Sequence, residues 1–174
     1  CRDLVTIIKW NEEFGIRQFR MSSDIFPWMA YYDFKDLPDY VRITNLLKGV
    51  GTLAAKYGHR LTFHPGHFNA LGSPNPVVVE KTIKELNQHS QIMDLIGLTI
   101  SPYNKINIHV GGAYGDKEAA LQRWIDNYNK LDWNTRKRLT VENDDKANMY
   151  SVKELYEGIY KKCGVPIVFD FYHH

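Results

Sequence analysis

Apolar residues along this chain alternate between helical spacing and short continuous runs. Behind Asp3, a suitable N-cap, Leu4, Ile7, Ile8 and Phe14 form one stripe that Gly15 stops. Ile43, Leu46, Leu47, Val50, Leu53, Ala54 and Tyr57 form a second stripe ending at Gly58. Residues 78–93 predict a third helix with Val79, Ile83 and Leu86 inward. Residues 116–129 predict a fourth, with Leu121, Trp124, Ile125 and Tyr128 inward. Ser151-Val152-Lys153-Glu154 has the form of a capping box and opens a fifth, which runs to about Gly164. Between these lie strand-like runs at 16–19, 61–63, 106–109 and 139–141, and a last one that Pro166 begins. Residues 21–40, with Phe26-Pro27-Trp28, read as a long irregular loop, and a loop of that length in a compact domain is often functional. Residues 65–76 are Pro- and Gly-rich loop, and Gly111-Gly112 marks a tight turn.

This helix–strand rhythm predicts an α/β fold with parallel strands and crossover helices. A doubly wound sheet has the same rhythm, but the sequence contains no dinucleotide-type glycine signature and no phosphate-binding P-loop, so no nucleotide cofactor is expected. A closed TIM (β/α) barrel needs eight strands, and about five are readable here. The expectation is one domain over residues 1–174, a partial barrel lacking the first and the last strands. The start at Cys1 in place of Met fits a chain preceded by further sequence. No apolar run approaches the ~18 residues that span a membrane. Cys1 and Cys163 do not make a disulfide framework, which favours a reducing, intracellular setting: nucleus or mitochondrion in a eukaryote, cytoplasm in a bacterium. A net charge of +2 is too small to argue for nucleic acid alone, while 13% aromatic residues leave a surplus for stacking surfaces.

The chemistry lies where the strands end. The run before His64 is Arg60-Leu61-Thr62-Phe63; Ile106-Asn107-Ile108 leads to His109, Leu139-Thr140-Val141 to Glu142, and Ile167-Val168-Phe169 to Asp170, with His173 and His174 after it. The remaining run, 16–19, leads to Arg20-Met21-Ser22-Ser23, polar but without a ligand set. Parallel strands followed by helices bring their C-terminal ends to one face, where barrel active sites lie. Imidazoles and carboxylates gathered there predict a hydrolytic divalent-metal centre. The mixed donors suit manganese or zinc better than calcium, with magnesium as a further candidate.

In the same order along the chain, Phe19-Arg20-Met21-Ser22-Ser23-Asp24-Ile25-Phe26-Pro27, His64-Pro65-Gly66, Ile108-His109-Val110-Gly111-Gly112, Leu139-Thr140-Val141-Glu142-Asn143-Asp144-Asp145 and Phe169-Asp170-Phe171-Tyr172-His173-His174 resemble the UV damage endonuclease family. The resemblance implies a TIM-barrel enzyme related to endonuclease IV. Such an enzyme cuts damaged double-stranded DNA on the 5′ side of cyclobutane dimers and 6-4 photoproducts, using hydroxide generated at a cluster of more than one metal ion, often manganese. It implies metal ligands at His64, His109, Glu142, Asp170 and His173, with Glu142 and His109 central to catalysis. Further ligands on later strands would complete the family's set. The family wedges a Gln-Tyr pair into the duplex; His67-Phe68 stands there in this chain, keeping an aromatic face but losing the hydroxyl. The family also has a His in the loop after Phe-Pro, where this chain has Tyr31 and Tyr32. A bulky lesion must be flipped from the stack to reach a metal, at a cost lowest for a damaged pair.

Plainer readings stand beside these. A single strand-end His is usually structural, and it is the joint pattern that favours ligands. A terminal His173-His174 pair also has the composition of a tag, against which the Phe169-Asp170-Phe171-Tyr172 lead-in argues; His174 is a neighbour of the site. Arg20 is either a DNA contact or a loop anchor, and Phe68 either wedge or loop packing. His59 and His89 read as solvated, Tyr31 and Tyr32 as core, and Arg136-Lys137-Arg138 as a solvated helix end. The alternatives to the leading function are an abasic-site endonuclease, a sugar-isomerase-like barrel enzyme, or a non-catalytic DNA-binding fragment.

Overall fold

The structure, a computed structural model, describes residues 2–146 and 148–173. Cys1 and His174, for which the sequence carries expectations, lie outside the described residues. Helix α1 (Arg2–Glu13) leads to β1 (Gln18–Met21), then α2 (Tyr40–Tyr57), β2 (Arg60–Phe63), α3 (Pro76–Ile96) and β3 (Ile106–His109). After β3 come α4 (Lys117–Tyr128), α5 (Trp133–Arg138) and β4 (Leu139–Glu142). The last helical stretch is α6 (Val152–Leu155), a π turn (Tyr156–Tyr160) and α7 (Lys161–Cys163), before β5 (Ile167–Val168). The five strands pair in parallel in the order β1-β2-β3-β4-β5, a partial TIM barrel.

Each strand separates its side chains by parity. Leu61, Phe63, Ile106, Ile108, Leu139 and Val141 are buried against the helices. The intervening residues Arg20, Thr62, His64, Asn107, His109, Thr140 and Glu142 share the other face, as the registers Arg20↔Thr62, Asn107↔Thr140 and His109↔Glu142 require. The barrel's inner wall is therefore polar and leads up to the ligand ends.

Three solvated expectations are corrected. His59 is buried, its Nε2 3.1 Å from Glu12 Oε2. Arg138 is 0% exposed. Its guanidinium donates to Ser90 Oγ (2.8 Å), Asp94 Oδ1 (2.7 Å) and the carbonyls of Ser90 (3.1 Å) and Leu98 (2.8 Å), tying α5 to α3. His89 is also fully buried, edge-on to Phe63 with ring centroids 4.7 Å apart. All three sit where two elements meet, so helix-face polarity did not set their exposure. Conversely Tyr31, expected in the core, is 62% exposed. Residues 21–40, read as irregular, contain three short 3₁₀ turns, at Ser23–Ile25, Met29–Tyr31 and Phe34–Asp36.

His89 makes acid stability testable. Its Nδ1–H donates to the Glu85 carbonyl at 2.9 Å, while Nε2 is buried without a hydrogen-bond partner among the described residues. Burial lowers its pKa to about 4, against a hydrogen bond to Glu85 that raises it. The unfolded chain therefore takes up a proton near pH 6.5 that the fold refuses until about pH 4. Stability is full above pH 6.5 and falls as pH drops toward 4, by about 3 kcal/mol. Urea unfolding from pH 7 to 4.5 should show this loss in the wild type and a smaller one in His89→Leu; parallel curves would refute it.

Candidate metal centre

Strand ends deliver the ligands. His109 and Glu142 are cross-strand partners at the last positions of β3 and β4, and His64 follows β2 directly. The Nε2 atoms of His64 and His109 lie 2.5 and 2.9 Å from the same oxygen, Glu142 Oε1. Glu142 Oε2 accepts from Asn107 Nδ2 at 2.5 Å, and Asn107 Oδ1 accepts from Thr140 Oγ1 at 2.7 Å. This inner-wall relay fixes the carboxylate from below and leaves Oε1 to the imidazoles.

Two groups of ligand atoms, His64 with His109 and Glu142, and Glu142 with Asp170 and His173, each lie within 4.8 Å of one another. Glu142 belongs to both. Asn143 holds the second group together. Its Nδ2 donates to the carbonyls of Asp170 (3.0 Å) and His173 (3.1 Å), its Oδ1 accepts from the Asp170 N–H (2.8 Å), and its carbonyl receives His173 Nδ1 at 3.1 Å. The loop after β5 is thus clipped to the end of β4 by one buried side chain.

The donor set suits a divalent cation. His64 Nδ1 is turned to the Pro65 carbonyl (3.3 Å) and His173 Nδ1 to that of Asn143, which leaves Nε2 on each ring as the ligand nitrogen. His109 Nδ1 is buried without a hydrogen bond among the described residues, 3.4 Å from Asp144 Oδ2. The electrostatics also call for positive charge. Burial pushes the Glu142 carboxyl up, but hydrogen bonds from His109 and His64, and their charge, outweigh it and hold the group well below the usual carboxylate range. The hydrogen bond to Glu142 raises the His64 pKa, opposed by burial and weakly by Arg20. Protons and metal ions therefore compete for one anionic focus.

The residues expected to meet DNA lie on β1 and on the loop after β2, the loop that begins with His64. Arg20 is exposed on the inner-wall side of β1. His67 and Phe68 are exposed on the loop after β2, their rings 4.1 Å apart, and Phe68 is 80% exposed. Sequence reasoning gave no role to Asn107, Thr140 or Asn143. For the first two the signal was there: a polar residue two positions before a strand-end ligand lies on the ligand's own face. Asn143 offers no such signal, because its partners are 27 and 30 residues away.

A family model described as UV-endonuclease UvdE matches residues 1–174. The chain is 38% identical over 178 residues to a UV-damage endonuclease of Neurospora crassa, covering 100% of this chain and 26% of that protein. Among solved structures, SacUVDE superposes with a TM-score of 0.88 at 34% identity, over 98% of this chain and 56% of that one. A D-psicose 3-epimerase from Clostridium cellulolyticum H10 superposes with a TM-score of 0.66 at 13% identity, over 97% of this chain and 58% of that one, a likeness of fold alone. The chain spans about half or less of the length of the curated relatives it matches.

Proposed function

We propose a function from one premise: this chain belongs to the UV-endonuclease UvdE family. It carries the metal-binding and duplex-probing face of a divalent-metal-dependent DNA-repair endonuclease. Its substrate is double-stranded DNA containing ultraviolet photoproducts, nicked on the 5′ side of the lesion to leave a 3′-hydroxyl and a 5′-phosphate. The five strands form a segment of an eight-stranded barrel.

The observation that carries this reading is the convergence of His64 and His109 on one oxygen of a carboxylate that also neighbours Asp170 and His173. On this reading His64, His109 and Glu142 would hold one ion, and Glu142, Asp170 and His173 a second, manganese or zinc by donor type. Such ions would supply Lewis-acid stabilisation of the phosphate charge and a water acidic enough to attack near neutral pH. Asn107 keeps Glu142 oriented toward both ligand groups, and Asn143 keeps the Asp170–His173 pair in reach. Arg20 meets a phosphate beside the centre. Phe68 fills the gap left by the extruded lesion, where base–aromatic stacking contributes about 1–3 kcal/mol per base, and His67 donates a hydrogen bond beside it. Recognition of distortion needs no base-reading motif.

The test is nicking of supercoiled plasmid, irradiated and unirradiated, with manganese and then with chelator. Cutting confined to irradiated plasmid and lost on chelation is the expected result. Cutting that ignores irradiation, or survives chelation, overturns the reading.

No helix among the described residues is long and apolar enough to cross a membrane.

A further inference from the structure

A groove of about 750 Å³ lies in the helix layer, between α3 and the start of α5, and no strand-end residue lines it. Glu80, Lys84, Asn87, Gln91 and Asp94 line it at steps of three and four residues, so they share one face of α3 over about 20 Å. Asp132, Trp133 and Thr135 line it from α5 and its N-cap, and Asp33 from the loop after β1. The metal-centre reading uses none of these residues.

Three features point to a ligand and to its chemistry. First, the groove is acidic although the whole chain carries +2. Asp33 lies 3.4 Å from Lys84, and Asp94 is paired with Arg138 at 2.7 Å. Glu80 and Asp132 are exposed and have no ion pair among the described residues. Second, two buried polar atoms of the lining lack partners. Gln88 is 5% exposed, and its Nε2 donates to the Tyr32 carbonyl at 2.6 Å. Its Oε1 has no partner among the described residues, and neither has Oγ1 of Thr135, which is 0% exposed. Buried polar atoms are normally paired, so the groove holds open positions for a hydrogen-bonding ligand. Third, the Trp133 indole is 57% exposed, and Lys137 Nζ lies 5.8 Å from its centroid, so this ring already faces a cation.

Uncompensated carboxylates, a buried acceptor and an exposed indole match a guanidinium, which carries donors only, in a plane that stacks on aromatic rings. A DNA backbone would be repelled, and an apolar segment would leave Gln88 Oε1 unpaired. We propose that the α3–α5 groove docks an extended, arginine-bearing segment of a partner protein. One guanidinium donates to Gln88 Oε1 and lies on the free face of Trp133, and further basic side chains meet Glu80 and Asp132. Six extended residues span about 20 Å, the length of the acidic face. The partner sits on the helix layer and leaves the strand-end face open, so the proposal stands apart from the DNA reading.

The test is fluorescence anisotropy of labelled hexa-arginine and hexa-lysine peptides with the whole chain at physiological salt. Wild type is expected to bind hexa-arginine saturably, one peptide per chain, about tenfold tighter than hexa-lysine. Glu80→Lys with Asp132→Lys should weaken hexa-arginine binding by more than about tenfold. Trp133→Ala should weaken it several-fold and erase the preference over hexa-lysine. Glu13→Lys with Asp126→Lys makes the same charge change at exposed positions outside the groove and should leave binding unchanged. Equal affinity of wild type for the two peptides, or an equal loss in the two charge-reversed pairs, would mean diffuse attraction and overturns the groove. Spermine that displaces hexa-arginine at equal concentration would mark a polyamine site and overturns the docking of a partner.

Discussion

Glu142→Gln is expected to reduce nicking of irradiated DNA by more than about a hundredfold, beyond the loss typical of a residue that merely supports a metal ligand. The amide is nearly isosteric, so the inner wall keeps its shape. What changes is charge and donor chemistry. Oε1 receives two imidazole nitrogens at 2.5 and 2.9 Å, and Oε2 receives Asn107. A glutamine in that place offers one oxygen where three donors now converge, and its NH₂ must face a donor. Glu142 also belongs to both ligand groups, so its loss weakens both. Manganese titration should show reduced affinity. DNA binding should largely persist, because Arg20, His67 and Phe68 are untouched. Near-normal nicking by the variant would remove Glu142 from the mechanism.

Gly51→Ala is expected to destabilise the fold by about 3 kcal/mol or more, at the upper end of overpacking costs. Gly51 lies within α2, and a Cβ there would sit 1.7 Å from the Ile96 carbonyl oxygen at the C-terminal end of α3. The obstacle is backbone, so no rotamer change relieves it and one helix must shift. Asp94 in its last turn and Leu98 and Thr99 just beyond it bind the buried Arg138 guanidinium, so the shift spreads to α5. Urea unfolding should give a midpoint far below wild type. A midpoint within experimental error of wild type would mean that the α2–α3 contact tolerates a methyl group.

What could be read from the sequence was what short-range physics encodes. The β3 limits and the Ser151–Glu154 capping box are observed as read, because alternation and capping are local. Helix α3 begins two residues earlier than its apolar stripe, at Pro76 behind an Asn75 cap, a signal present but outweighed by the stripe. Strand β1 begins at Gln18 and not at Ile16, because pairing with β2 from Gln18↔Arg60 onward, not hydrophobicity, sets the ladder. The strand-end residues His64, His109 and Glu142 were legible as a set, since β/α order fixes which ends share a face, and the structure brings them together. Arg138, His89 and Asn143 were not. Each owes its environment to residues on another element, as with Arg138 and its partners 39 to 48 positions away, and no window of sequence contains both sides of such a contact.

The division of each strand into an apolar row and a polar row has an evolutionary reading. Leu61, Phe63, Ile106, Ile108, Leu139 and Val141 specify how the helices pack, while Thr62, His64, Asn107, His109, Thr140 and Glu142 point away from that packing. Mutations in the second row can rewrite the chemistry while the apolar contacts between strands and helices stay in place. A lineage can therefore change along the inner wall while its architecture is held by the apolar packing of the outer one. Two proteins can then share a scaffold with little sequence in common, as the 13% identity with a D-psicose 3-epimerase at a TM-score of 0.66 illustrates.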